Sequence, residues 1–235
     1  MTIRTLLLAA TVAAAPAALA AQNATPAATG ASRAAATPQQ TVERAAKAWA
    51  KVRTLRAGFE QTVSNPLTGT TANARGDLLM RKPGRYSVAF TDPAGDRVVG
   101  DGTFTWVHLP STNPGQVIKL RSASAPAGPG VVDELLTGSR DRFTVADAGA
   151  ATISGRATRA VSLMPKSPKQ FTKATLWIDD ADATVRQFEL VEASGLVRRV
   201  RLTSVRLNST VPASAFEFTP PKNVRVIDER MLGGS

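Results

Sequence analysis

The chain contains no cysteine, one histidine and one tyrosine in 235 residues, and aromatic residues make up 5% of it. The missing cysteine rules out a disulfide framework, thiolate chemistry, cysteine metal ligands and a cysteine that could itself carry a lipid. His108 has no second histidine or cysteine beside which to build a zinc site, and no G-x-S-x-G elbow marks a serine nucleophile. No glycine-rich phosphate loop lies between a strand and a helix. Asp179, Asp180 and Asp182 lack the spacing and terminal glutamate of a calcium loop and fit turn chemistry instead. No enzyme, cofactor or metal is therefore expected. Acidic residues are also short, 18 against 29 basic ones, for a net charge of +11. Without basic and aromatic residues interleaved there is no stacking platform for nucleic acid. The charge reads as a dispersed basic surface, with attraction to anionic membranes as the remaining use.

Long apolar runs are confined to the first twenty residues. Arg4, the run from Leu6 to Val12 and Ala18-Leu19-Ala20 form the three-part pattern of a secretory signal peptide. Thr11 and Pro16 interrupt it short of the roughly twenty residues of a membrane span. Residues 1–21 are thus expected to be cleaved on export. Residues 22–37, mostly Ala, Thr, Pro and Gly, read as a flexible linker, residues 38–228 as one domain, and residues 229–235 as a tail.

Thr37-Pro38-Gln39-Gln40 predicts a capped helix start, and Val42, Ala45, Ala46, Trp49 and Val52 follow at helical spacing. From Leu55 the period changes to two, placing Leu55, Ala57, Phe59, Gln61 and Val63 on one face. Further strands are predicted over 75–80, 85–91, 98–100, 103–109, 116–121, 159–164, 171–178, 184–191 and 196–207. Weaker candidates lie at 143–145 and 152–154. Lys82-Pro83-Gly84, Asp92-Pro93-Ala94-Gly95 and Asp101-Gly102 are too short for parallel crossovers, so the strands pair as antiparallel hairpins. Residues 122–130 break the pattern as hinges, before a short helix or a surface loop at Val131-Val132-Asp133-Glu134-Leu135-Leu136. The fold class is α+β and mainly β: one curved antiparallel sheet of about eleven strands with two or three helices on its concave side.

The apolar faces of these strands are candidates for either a filled core or a cavity, which alternation alone does not distinguish. Phe59, Leu78, Met80, Tyr86, Val88, Phe90, Phe104 and Trp106 are the residues concerned, with Leu135 and Leu136 from the helix above.

Several short blocks carry a resemblance. They are Phe59-Glu60-Gln61, Arg75-Gly76-Asp77-Leu78, Arg81-Lys82-Pro83, Asp101-Gly102 with Trp106 and Pro110, Lys169-Gln170-Phe171-Thr172, Val185-Arg186-Gln187-Phe188 and Phe216-Glu217-Phe218-Thr219-Pro220-Pro221. In order and spacing, over residues 40–228, the chain resembles the LolA family of periplasmic lipoprotein carriers. The resemblance implies an incomplete barrel whose helical lid covers a hydrophobic cavity for acyl chains. It implies acylated lipoproteins as cargo, an inner-membrane ABC transporter as the donor and a lipid-anchored outer-membrane receptor as the acceptor, with the carrier itself a monomer. It also implies an arginine directly before the proline that gates the lid. Here Lys82 holds that place and Arg81 precedes it, so both are candidates; a one-residue shift in a strand reverses side-chain direction. Two other readings stay open: a lipid-sensing regulator or specialised lipid binder of the same fold, and a binder of anionic polymers through outward arginines such as Arg199 and Arg201.

Overall fold

The computed structural model describes residues 36–122, 130–167 and 170–228. The predicted signal peptide, all but the last two residues of the linker, most of the expected hinge, Lys169 and the tail lie outside the described residues. The first described element starts where the capping residues predict. The Thr37 hydroxyl accepts from the Gln40 amide at 3.2 Å, and the Gln40 side chain accepts from the Thr37 amide at 2.9 Å. This reciprocal pair satisfies two otherwise orphaned donors of α1, Pro38–Ala50. One face of α1, with Val42, Ala45 and Trp49, is buried.

Among the described residues twelve strands follow in a single open sheet: β1 (Thr54–Asn65), β2 (Thr70–Arg81), β3 (Arg85–Asp92), β4 (Ala94–Asp101), β5 (Phe104–His108), β6 (Gln116–Arg121), β7 (Phe143–Ile153), β8 (Arg156–Pro165), β9 (Phe171–Asp179), β10 (Val185–Glu192), β11 (Val197–Leu207) and β12 (Arg225–Asp228). Between β6 and β7 stand α2 (Val131–Leu136) and α3 (Ser139–Arg142). The spatial order is β12-β6-β5-β4-β3-β2-β1-β11-β10-β9-β8-β7. Every neighbouring pair is antiparallel except β12 with β6, which is parallel. The expected count of about eleven strands compares with twelve among the described residues. The two weak candidates around residue 150 belong to one strand, β7, whose irregular register between Asp147 and Ala150 blurs the alternation. β12 is a four-residue addition reached by a long connection, too short to show a period.

The helices pack on part of the concave face. All four apolar residues of α2, Val131, Val132, Leu135 and Leu136, are buried with Val42, Ala45 and Trp49 of α1, Leu55, Ala57 and Met80 of β1 and β2, and Leu163, Leu176 and Ile178 of β8 and β9. The opposite face has a second, smaller cover. Residues 209–221, with a short 3-10 helix Ala213–Phe216, run along the outside of β3 and β4. Val211 and Phe216 are buried there, as are Val99 and Val117. Arg81 donates to the Val211 carbonyl and stacks its guanidinium 5.3 Å from the Phe216 ring centre, while Arg97 donates to the Ala215 carbonyl at 3.4 Å.

The β9–β10 turn is organised by Asp179, whose side chain is 1% exposed. Its carboxylate accepts from Arg156 Nε at 2.7 Å, Arg186 Nε at 2.9 Å and the Ala181 amide at 2.9 Å, as expected of turn chemistry. Burial opposes its ionisation, but the hydrogen bonds from Arg156, Ala181 and Arg186 outweigh it and hold the carboxyl at about 2 against 3.8. A depressed carboxyl stabilises the fold fully above pH 3.8 and progressively less as pH falls toward 2, a contribution on the order of 2 kcal/mol. Asp179→Ala is expected to cost about 3 kcal/mol at pH 7, because Arg186 loses its buried partner and keeps only the more exposed Asp182. Urea unfolding of this variant between pH 7 and pH 2.5 should show a flatter acid limb than the parent; parallel limbs would remove Asp179 from this role.

Candidate functional site

Beyond the helices the described residues do not fill the concave face. A cavity of about 520 Å³ lies against β1–β5, β10 and β11. Its volume falls in the range of small-molecule sites. No helical residue lines it among the described residues, whereas the space beneath α1 and α2, next to Trp49 and Leu136, is only about 30 Å³.

Register explains the lining. Leu78, Val88, Val98 and Val107 are successive partners across β2, β3, β4 and β5, so they form one apolar row along the cavity wall. In the next row Phe59, Gly76 and Phe90 are partners. The two phenyl rings meet edge to face across the glycine, with centres 5.3 Å apart. A Cβ on Gly76 would stand 2.1 Å from the Ala89 carbonyl oxygen, so the residue is fixed by close backbone approach at the β2–β3 bulge. A third row repeats the device. Tyr86 is paired with Gly100, and Gly100 with Thr105. The tyrosine ring lies over the glycine, where a Cβ would come within 2.4 Å of Cε1, and its hydroxyl is 2.8 Å from Thr105 Oγ1. Burial pushes the Tyr86 phenol above its ordinary range, and the Thr105 hydrogen bond only partly offsets this.

Of the residues predicted from alternation, Phe59, Leu78, Tyr86, Val88 and Phe90 meet in this cavity. Met80 shares their face of β2 but lies nearer the helices, in the core opposite Leu55. Phe104 and Trp106 require a correction: Trp106 pairs with Val99 on the outer face, and it is Thr105 and Val107 that turn inward. Phe104 and Trp106 instead form an outer cluster in which Phe218 lies 5.7 Å from Trp106, and Lys119 sits over both rings at 3.9 and 5.0 Å. Asp101 fixes the start of this strand by accepting from the Thr103 and Phe104 amides and from the Trp106 indole. Burial acts against ionisation of its carboxyl, but the hydrogen bonds from Phe104, Trp106 and Thr103 prevail and hold it below its usual range. Leu135 and Leu136 also depart from expectation. They are 0% and 2% exposed in the core beneath α1 and do not line the large cavity. Phe188, Val200, Leu202, Val98 and Leu109 line it without having been singled out. The signal that could have found them is the inward phase of β4, β5, β10 and β11, which needs the register.

Arg81 and Lys82 point to opposite sides, as the one-residue shift requires. Arg81 holds the outer segment. Lys82 Nζ is 3.0 Å from Asp133 Oδ1 on α2 and 3.1 Å from the Trp49 carbonyl at the end of α1, and sits 4.7 Å from the Trp49 ring centre. Trp49 Nε1 donates to the same Asp133 oxygen at 2.8 Å. One lysine therefore ties both helices to the β2–β3 turn. The outward arginines are paired, Arg199 with Glu189 and Arg201 with Glu60.

Tyr86 is the sole tyrosine of the chain, so its phenol is a clean reporter. Ultraviolet titration should show one phenol ionising above the ordinary value near 10. Gly100→Ala, by displacing the ring, should bring that ionisation down and cost roughly 1–3 kcal/mol in urea unfolding. An unchanged titration would mean that the ring does not depend on Gly100.

Comparison with known proteins bears on the same region. Residues 50–219 match the family model described as outer membrane lipoprotein carrier protein LolA. The chain is 32% identical over 183 residues to an outer-membrane lipoprotein carrier protein of Dechloromonas aromatica (strain RCB), an overlap covering 75% of this chain and 82% of the relative. It is 29% identical over 182 residues to the protein of that description from Nitrosospira multiformis, covering 75% and 83%. A solved LolA superfamily protein from Nitrosomonas europaea superposes with a TM-score of 0.40 at 15% identity, over 78% of this chain and 99% of that one. With the family model matched over most of its length, the chain belongs to the LolA family.

Proposed function

We propose that this protein is a periplasmic chaperone that takes up the acyl chains of lipoproteins and carries them from an inner-membrane ABC transporter to a lipid-anchored outer-membrane receptor. The observation that carries this reading is the cavity of about 520 Å³, walled by Phe59, Leu78, Val88 and Phe90 and left uncovered by the helices. Each buried methylene is worth about 0.8 kcal/mol, so a lipid anchor does not leave a bilayer for water unaided. A cavity of bilayer-like polarity replaces one apolar surroundings by another, and transfer in and out then needs no nucleotide on the carrier. Lys82 acts as the latch, because it alone of the two gating candidates touches α1 and α2.

Incubating the protein, without residues 1–21, with spheroplasts should place a triacylated lipoprotein in the soluble fraction in complex with it. Val88→Glu sets a carboxylate on the cavity wall at a partly exposed position. It should reduce release about tenfold or more, in line with the cost of burying a charge against apolar chains. Equal release by a folded Val88→Glu protein would move the cargo site elsewhere. Leu135→Glu is unsuitable for this purpose, since a charge at a 0% exposed core position is a folding defect.

The latch has its own test. Lys82→Ala should speed amide hydrogen exchange of α2 several-fold, whereas Arg81→Ala should leave α2 unchanged. Equal acceleration by both would assign the effect to the β2–β3 turn in general and not to the lysine.

A further inference from the structure

On β11 the inward positions read Arg198, Val200 and Leu202, all three lining the cavity. An arginine in an otherwise apolar inward row is unexpected, and its neighbours sharpen the point: its register partners are Val63 on β1 and Leu190 on β10, the latter 2% exposed. Inward charges can protect the edge of a sheet from pairing. That explanation does not apply, because β11 lies between β1 and β10 in the middle of the twelve strands.

The partner of Arg198 is Glu192. Arg198 Nε and Nη2 both donate to a single glutamate oxygen, at 3.3 and 3.1 Å. These distances are long for charge-assisted bonds, which favour about 2.7–2.9 Å. On the outer face of the same strand the Arg199–Glu189 pair closes to 2.5 Å. Arg198 and Glu192 side chains are 31% and 28% exposed, so the pair is within reach of solvent. Glu192 itself stands outside the lining; the carboxylate that does line the cavity, Asp96, is engaged by Ser111, which donates its hydroxyl at 2.6 Å to one oxygen and its amide at 3.0 Å to the other.

We infer that Arg198 is a headgroup subsite and that the cavity accepts single-chain anionic amphiphiles, with the tail along the Leu78–Val88 wall and the phosphate or carboxylate displacing Glu192 from the guanidinium. This assigns a second ligand class to the cavity and does not require lipoproteins to be its cargo. Guanidinium suits the role because its planar fork binds either anion in bidentate fashion.

The test uses the chain without residues 1–21 and three probes with the same twelve-carbon chain, each below its micelle concentration. They are dodecanoate, lauroyl-lysophosphatidylglycerol and uncharged monolauroylglycerol, titrated by calorimetry. Both anionic probes should bind more tightly than the neutral one. Arg198→Gln should weaken the anionic probes about ten- to hundred-fold, as expected for loss of a hydrogen bond to a charged group, and leave the neutral probe within about two-fold. Glu192→Gln, which removes the internal competitor, should tighten the anionic probes. Both substitutions fall at partly exposed positions, and matching thermal unfolding curves would show that the fold is kept. Dodecanoate responding alone would assign the subsite to fatty acids, and the lysophospholipid responding alone to phosphate headgroups. Equal binding of all three probes to the parent, or equal weakening of all three by Arg198→Gln, would overturn the inference while leaving the cavity as an apolar site. No binding of any probe would overturn it as well. Failure of lipoprotein release alongside charge-selective probe binding would instead count against the carrier reading alone.

Discussion

The geometry of this protein rests on a mismatch between the width of its sheet and the length of its helices. Twelve strands at about 4.8 Å spacing make an arc of roughly 55 Å. α1, with thirteen residues, is about 20 Å long, and α2, with six, about 9 Å. Helices of this size cover β7–β9 and the near ends of β1 and β2 and then run out. An ordinary globular domain would close the remaining distance with another helix or with larger side chains. Here the uncovered part keeps its inward apolar rows and becomes a cavity. Because β6 is capped by β12 and β7 is the far edge, the sheet stays open, and the cavity is a consequence of topology before it is a consequence of any one residue.

Two glycines shape that cavity wall. Gly76 and Gly100 each stand between larger partners in a cross-strand row; without a Cβ, Gly76 lets the β3 backbone approach closely, and Gly100 lets the Tyr86 ring lie over it along the sheet. The Phe59–Phe90 edge contact and the Tyr86–Thr105 hydrogen bond then fix the rings. The wall is thereby preorganised, and little side-chain entropy is lost when a flexible ligand settles against it. On the other face the Arg81-anchored segment with Val211 and Phe216 covers the strands that carry these rows, so the wall is supported from behind.

Much of this was legible in the residues. The α1 cap, the period-two strands, the short turns and the inward phase of β1, β2 and β3 follow from local chemistry that the structure retains. For Phe104 and Trp106 aromatic size suggests a core position, whereas the face of β5 is set by its pairing with β4, a long-range fact. Leu135 and Leu136 are apolar in a segment whose sequence fits a short helix or a surface loop, and only packing shows that they seal the helical half and leave the cavity untouched. The choice between Arg81 and Lys82 likewise depended on which way two consecutive side chains face. Arg198 lay in plain view in Val197-Arg198-Arg199-Val200-Arg201, yet three arginines at near-alternate positions give no hint which one turns inward until β11 is placed between β1 and β10.

The burial of α2 constrains how such a molecule could load a large cargo. Four apolar side chains at about 1.5–3 kcal/mol each make it worth roughly 6–12 kcal/mol to keep α2 on the sheet, and the Lys82–Asp133 pair adds only a small increment to that. A flap that exposed these residues to water would be open far too seldom to serve transfer. The same area can be vacated if something apolar takes its place: an acyl chain of about a dozen methylenes offers on the order of 10 kcal/mol by the same measure. Displacement of α2 is thus close to neutral when the chain enters as the helix leaves, and strongly unfavourable otherwise. On the carrier reading proposed above, Lys82 would not need to supply the energy that holds the helices down; it would set which helix position is resumed when the cavity empties, and the apolar exchange itself would couple opening to the presence of cargo.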